Sequence, residues 1–211
     1  MPGGLWIRGV DIIVAHGWES GSHVRGDVAT MALLPRVVDA GSPVPVISAG
    51  SIVDGRGMAA AFVLGADGVG IGARFLASEE STVDQSYKER LLQATETGTL
   101  FPRVFNGGWD ATGRVPRNST VEMWEAEGRP EPGLRLGEGE VIAKGANGEP
   151  VERYSAIAPY TDVTGDLEGL SNWAGQGVGL VNRIQPATDI VKEIAEEAVQ
   201  VMRKANDRIR E

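Results

Sequence analysis

The sequence predicts an α/β fold in which parallel strands alternate with helices, and three observations carry this. Short apolar runs recur at residues 10–16, 43–48 and 67–71, each ending in glycine-rich chain. Helix-forming stretches separate them. Counted from Val10, Val44 and Asp67, the runs start 34 and then 23 residues apart. That spacing leaves room for a helical crossover between parallel strands. Each run is apolar nearly throughout, as expected of strands covered on both faces.

Taken in order, residues 10–16 (VDIIVAH) predict a buried strand rich in β-branched side chains. The following stretch, GWESGSHVRGD, is too polar and glycine-rich for a regular element. LLPRVVDA (33–40) predicts a helix with Pro35 near its first turn. Residues 43–48 (PVPVIS) predict a second strand with its prolines at the start. Asp54 then suits a helix N-cap, GMAAAFVL (57–64) the helix body and Gly65 its stop. Residues 67–71 predict a third strand, and 78–96 an amphipathic helix.

From 98 to 170 glycine, proline and acidic residues dominate, with tryptophans and short apolar pieces among them. This predicts an ordered excursion that covers something, with a short helix near 119–126. After Pro186, Ile190, Ile194, Ala198 and Val201 form one helical stripe, flanked by Val191, Ala195 and Met202. Lys192, Glu193, Glu196 and Glu197 fall on the opposite side. A surface helix with one packed face is expected. The divisions are 1–97 for the βα units, 98–185 for the covering segment and 186–211 for the closing helix.

Composition removes several function classes. The 211 residues are 42% hydrophobic and 23% charged, with a net charge of −9. An acidic chain without a basic run disfavours nucleic-acid binding. There is no cysteine, so disulfides, thiolate catalysis and cysteine-ligated metals are excluded. The apolar run Val10–Ala15 is too short to span a bilayer, and no cleavage pattern follows it. The expectation is a cytoplasmic protein that uses no membrane.

Two turns are built from small residues, Ala49-Gly50-Ser51 and Gly70-Ile71-Gly72-Ala73-Arg74. Bare backbone amides in such turns can approach phosphate oxygens, and Arg74 would add charge. Glycine also ends many βα turns for steric reasons alone, so both readings stand. A dinucleotide fingerprint over Gly68, Gly70 and Gly72 fits less well, because these glycines lie within a strand instead of opening a helix. The 16–27 loop gathers His16, Glu19, Ser22, His23, Arg25 and Asp27, including both histidines of the chain. A histidine at a strand's carboxyl end suits a general base, or is simply a solvated loop residue. No histidine or carboxylate spacing suggests a metal site. Asn118-Ser119-Thr120 matches a glycosylation acceptor. Without a secretion signal, the match is read as chance.

Taken together these loops resemble the nitronate monooxygenase family, whose relatives include FMN-dependent enoyl-ACP reductases. The family's Gln-Gly-x-Glu-Ala-Gly-Gly-His-x-Gly pattern is echoed by His16-Gly17-Trp18-Glu19-Ser20-Gly21-Ser22-His23. PVISAGSIVDGRG (45–57) and GADGVGIGARF (65–75) match two further patterns in order. GRVPRN (113–118) and WAGQGVGLVNRIQPATDIV (173–191) match more loosely. The resemblance spans 9–96 well and 101–205 less closely.

The resemblance implies a TIM-type (β/α)₈ barrel, here only the last three or so βα units with a C-terminal extension and helix. It implies an FMN cofactor, its phosphate on Gly50, Ser51, Gly72 and Ala73. Gly21, Ser22, Ala49, Gly70, Arg74 and Gln176 would be further cofactor contacts. His23 would be the base toward neutral nitroalkanes, in a reaction that turns alkyl nitronates and O₂ into a carbonyl compound and nitrite. Trp109, Trp124 and Trp173 would line the flavin pocket or act as packing anchors. The chain departs from the pattern at His16 for glutamine, at two serines in the loop, at Ser51 for glycine and at Ala73 for threonine.

A whole barrel takes about 250 residues. Three βα units would leave open sheet edges and an uncovered apolar face. Poor solubility, self-association or a partner chain that completes the barrel is therefore expected, as for a truncated product or half of a split barrel. Competing readings are an enoyl-ACP reductase and a non-catalytic barrel fragment. An IMP-dehydrogenase-like enzyme would need the absent cysteine.

Overall fold

A computed structural model describes residues 9–106 and 112–210. The repeating units form a parallel sheet from β1 (Ile13–His16), β3 (Val46–Ala49) and β4 (Gly68–Gly70), in the order β1-β3-β4. Between β1 and β3 come β2 (Ser22–Val24) and α1 (Thr30–Gly41), and α2 (Gly55–Val63) joins β3 to β4. The register pairs His16 with Ala49 and Ala49 with Gly70, so the three strands end side by side. On one face Ala15, Val46, Leu34 of α1 and Ala61 of α2 form a buried core. On the other face Ile12 and Val14 are 56% and 59% exposed.

Helix α1 starts earlier than its apolar run suggests, so Pro35 lies inside it and not in the first turn. The reason is tertiary: both carboxylate oxygens of Glu19 accept from Thr30 N, at 3.0 and 3.1 Å, and satisfy the helix start from outside. The expected cap on α2 is present, with Asp54 accepting from the backbone of Arg56 and Gly57. The helix expected over 78–96 is shorter. A four-residue α3 (Ala73–Leu76) precedes turns and two isolated bridges, and α4 (Gln85–Gln93) begins only where Asp84 caps it through Ser86.

The described residues of the 98–170 excursion contain several short regular elements. Strand β6 (Thr112–Pro116) pairs antiparallel with both β5 (Thr99–Leu100) and β2. The 16–27 loop thus contains a strand that its composition hides, because its partner lies about ninety residues on. Helix α5 (Ser119–Ala126) falls where expected. A second small sheet joins β7 (Val141–Lys144), β8 (Pro150–Glu152) and β9 (Thr164–Gly165). Asn118 is buried, donates to the carbonyls of Glu168 and Leu170, and caps α5 through Val121 N. It offers no amide for glycosylation.

The closing helix α6 (Ala187–Arg210) buries Ile190, Ile194 and Ala198, at about 1.5–3 kcal/mol for each large apolar side chain. Its flanks differ from expectation. Val191 and Ala195 are exposed, whereas Glu197 accepts from Gly55 N at 2.7 Å and Glu193 binds Arg183 and Gln185. A Cβ on Gly55 would lie 2.4 Å from Ala198 N, so glycine there lets α6 approach α2. Among the described residues no helix is long and apolar enough to cross a membrane.

Candidate active site

At the carboxyl ends of β1, β3 and β4 lies a cavity of about 730 Å³. Its walls are the loop after β1, the Gly50–Val53 turn, the Gly70–Ala73 turn and residues 173–178. Gly21, Ser22, Ala49, Gly50, Ser51, Gly70, Gly72 and Ala73 all line it. The sequence-predicted site residues therefore converge, with three exceptions. His23, Arg74 and Gln176 are not among the lining residues.

Each exception has a defined place. His23, on β2, lies with Nε2 3.1 Å from Phe105 O, and its ring centre is 4.8 Å from that of Trp173. Trp173 itself lines the cavity, so His23 is one side chain removed from it. Arg74 is buried and donates from Nη1 to Arg183 O at 3.1 Å. Burial first, and the nearby Arg183 second, lower its pKa against the pull of Glu193. Gln176 uses its backbone N–H to bond Glu19 O at 2.9 Å, while its neighbours Gly175 and Gly177 reach the cavity.

His16 does line the cavity. Desolvation lowers its pKa, outweighing the attraction of Glu19, so the imidazole is neutral at pH 7. Of the tryptophans, Trp173 lines the cavity and Trp124 is a packing anchor whose Nε1 donates to Pro130 O at 2.9 Å. Trp109 lies outside the described residues.

The turn geometry explains glycine at position 50. Gly50 has φ +133, and a Cβ there would lie 2.6 Å from Thr30 Oγ1 and 2.7 Å from Ser20 Oγ. Ser51 also takes a left-handed backbone, φ +53. Its hydroxyl donates to Glu19 O at 2.8 Å and accepts from Gly177 N at 2.9 Å. The lining also includes the apolar side chains of Ile52, Ile71, Phe75, Leu76 and Val178.

Sequence reasoning gave no role to Arg114, which is 2% exposed. Its guanidinium lies 4.3 Å from the Trp18 ring and 5.0 Å from Phe101, and it donates to Trp18 O and Thr99 Oγ1. Burial lowers its pKa, opposed by Glu19. It braces the loop after β1 from below, and only the GRVPRN stretch hinted at it. Nor did the sequence place Ser78, Ser81 and Thr82 at the cavity, because a continuous helix was expected there. Among the described residues no group of histidines and carboxylates could hold a metal ion.

The fold and site define an α/β protein with a glycine-lined ligand cavity at the carboxyl ends of parallel strands, where such folds place their chemistry. A family model described as nitronate monooxygenase matches residues 4–197, and the chain belongs to that family. It is 33% identical over 208 residues to nitronate monooxygenase npaC of Metarhizium robertsii, covering 91% of this chain and 53% of that protein. Its structure is similar to FabK from Thermotoga maritima, with a TM-score of 0.71 and 34% identity over 95% of this chain and 58% of that one. It is also similar to a nitroalkane oxidase from Streptomyces ansochromogenes, with a TM-score of 0.66 and 27% identity, over 93% of this chain and 54% of that one. The chain spans about half the length of the curated relatives it matches.

Proposed function

We propose that this chain forms the phosphate-binding sector of an FMN-dependent nitronate monooxygenase that converts alkyl nitronates and O₂ to a carbonyl compound and nitrite. The observation that carries this reading is the convergence of the Gly50-Ser51 and Gly72-Ala73 turns on one cavity that apolar side chains also line. The residues fit the cofactor. The cavity is of ligand size, glycine at 50 leaves backbone bare where a Cβ would meet Thr30 and Ser20, and Trp173 and Phe75 offer walls to a flat ring. FMN supplies the redox chemistry when bound, and the protein supplies position and electrostatics.

Gly50, Ser51, Gly72 and Ala73 hold the phosphate in this reading, with Gly21, Ser22, Ala49 and Gly70 beside them. Arg74 and Gln176 act through charge and backbone position, since neither side chain lines the cavity. Neutral His16 offers a hydrogen bond to a substrate oxygen. His23 takes the α-proton of a neutral nitroalkane. Its Nε2 faces Phe105 O and so carries the hydrogen. The exposed face of β1 is covered by further βα units that complete a (β/α)₈ barrel.

A second reading is an FMN-dependent enoyl-ACP reductase, which shares the Glu19-x-Gly21-x-His23 loop, whereas the long 98–170 region with GRVPRN (113–118) favours the first. A nicotinamide requirement separates the two. The test of the cofactor reading is the visible absorbance of the purified chain with added FMN. A bound-flavin spectrum is expected, and in turnover of neutral nitroalkane a His23→Asn variant is expected to lose about 10²–10⁴-fold. A free-flavin spectrum at saturating FMN defeats the reading for this chain.

A further inference from the structure

We infer that Ser51 is a positioning residue that fastens residues 173–178 to the two loops after β1 and β3, and so holds the phosphate end of the cavity in shape. The inference rests on the flavin reading above.

Ser51 stands where the resembled pattern has glycine, yet its backbone takes the left-handed conformation that glycine adopts at least cost. A side chain is kept there against a steric penalty, and its hydroxyl both donates and accepts. It donates to Glu19 O at 2.8 Å and accepts from Gly177 N at 2.9 Å. Glu19 O also accepts from Gln176 N at 2.9 Å, and the Glu19 carboxylate holds the start of α1. The contact is close-packed, because a Cβ on Gly177 would lie 2.5 Å from Ser51 O, and one on Gly175 3.1 Å from Ser51 Oγ.

One hydroxyl thus joins three cavity walls that are far apart in sequence. Its donor and one acceptor site are spent inside the protein, so it serves a phosphate through its neighbours. With glycine at 51 the backbone strain would vanish, but Gly177 N–H and Glu19 O would each lose this partner.

The test compares Ser51→Gly with Ser51→Ala in the full chain. Ser51→Gly removes both bonds and the strain, whereas Ser51→Ala removes the bonds and keeps the strain. Three quantities are read: hydrogen exchange at the Gly177 amide, the Kd of FMN and the Kd of riboflavin, which lacks the phosphate. Both variants are expected to speed Gly177 exchange about five- to tenfold and to weaken FMN by a similar factor. Riboflavin binding stays nearly unchanged, which a general loss of structure would not allow. Ser51→Gly melts no lower than Ser51→Ala. Unchanged Gly177 exchange, unchanged FMN affinity in both variants, or equal weakening of FMN and riboflavin overturns the proposal alone. A wild-type chain that takes up no FMN overturns the flavin reading, and this proposal with it.

Discussion

In the βα units Leu34 of α1 is fully buried, while Val14, on the opposite face of the same sheet, is 59% exposed. In the antiparallel segment, neighbouring residues of β6 that point to opposite faces, Arg114 and Val115, are both buried. The difference lies in what each strand is given to pack against. Strand β6 lies between β2 and β5, with Val104, Phe105, Val121 and Tyr154 against Val115 and the Trp18 and Phe101 rings against Arg114. The parallel sheet has α1 and α2 on one side only. The irregular, glycine-rich region is therefore the one that covers both faces of its strand. Trp173 ties α4, which follows the parallel sheet, to the antiparallel segment. It packs in the core of α4 as well as in that around β6, and its carbonyl accepts from Tyr87 OH at 2.6 Å.

The tie predicts one cooperative unit. Leu34→Ala should cost about 2–5 kcal/mol and Val115→Ala about 2 kcal/mol. Both should shift the same urea transition, followed by circular dichroism and tryptophan fluorescence. Two transitions, each moved by only one substitution, would separate the regions after all. The exposed face gives the next effect in size. The isolated chain is expected to self-associate through the β1 face, and Val14→Glu should shift it toward monomer in sedimentation. Stability of the monomer should move by no more than about 0.5 kcal/mol, as for other surface changes. A wild-type chain that sediments as a monomer would break the link between that face and a covering partner.

The sequence made the parallel half legible because its signals are local. Strand runs, the Asp54 cap, the Gly65 stop and the α6 stripe each declare themselves within a few residues. What stayed hidden depends on contacts across long separations. Strand β2 exists because β6 pairs with it, and α1 starts at Thr30 because Glu19 reaches its first amide. The start of α4 was local and still missed, because Asp84 and Ser86 sit inside a pattern that reads as helix on both sides. The glycine turns of the candidate site were readable from spacing and resemblance. Their junction with residues 173–178 through Ser51 was not, since a lone serine in place of glycine looks like a loss until its two partners are seen.

The smallest effect concerns the two histidines, which the site treats differently despite their common loop. His16 opens onto the cavity, and desolvation holds its pKa below the ordinary imidazole value of about 6.5. The folded chain therefore binds this proton less readily than the unfolded chain does. The contribution of His16 to stability is complete above about pH 6.5, declines as pH falls from there to the folded value, and is level below it. Proton NMR of the histidine C2–H resonances measures this directly, with His16→Gln assigning the signal that disappears. A midpoint below about 6.5 is expected. A midpoint above it would mean that Glu19 outweighs desolvation. Folding would then favour the protonated form of His16, and its proposed role as a neutral hydrogen-bonding group at the cavity would lose its support.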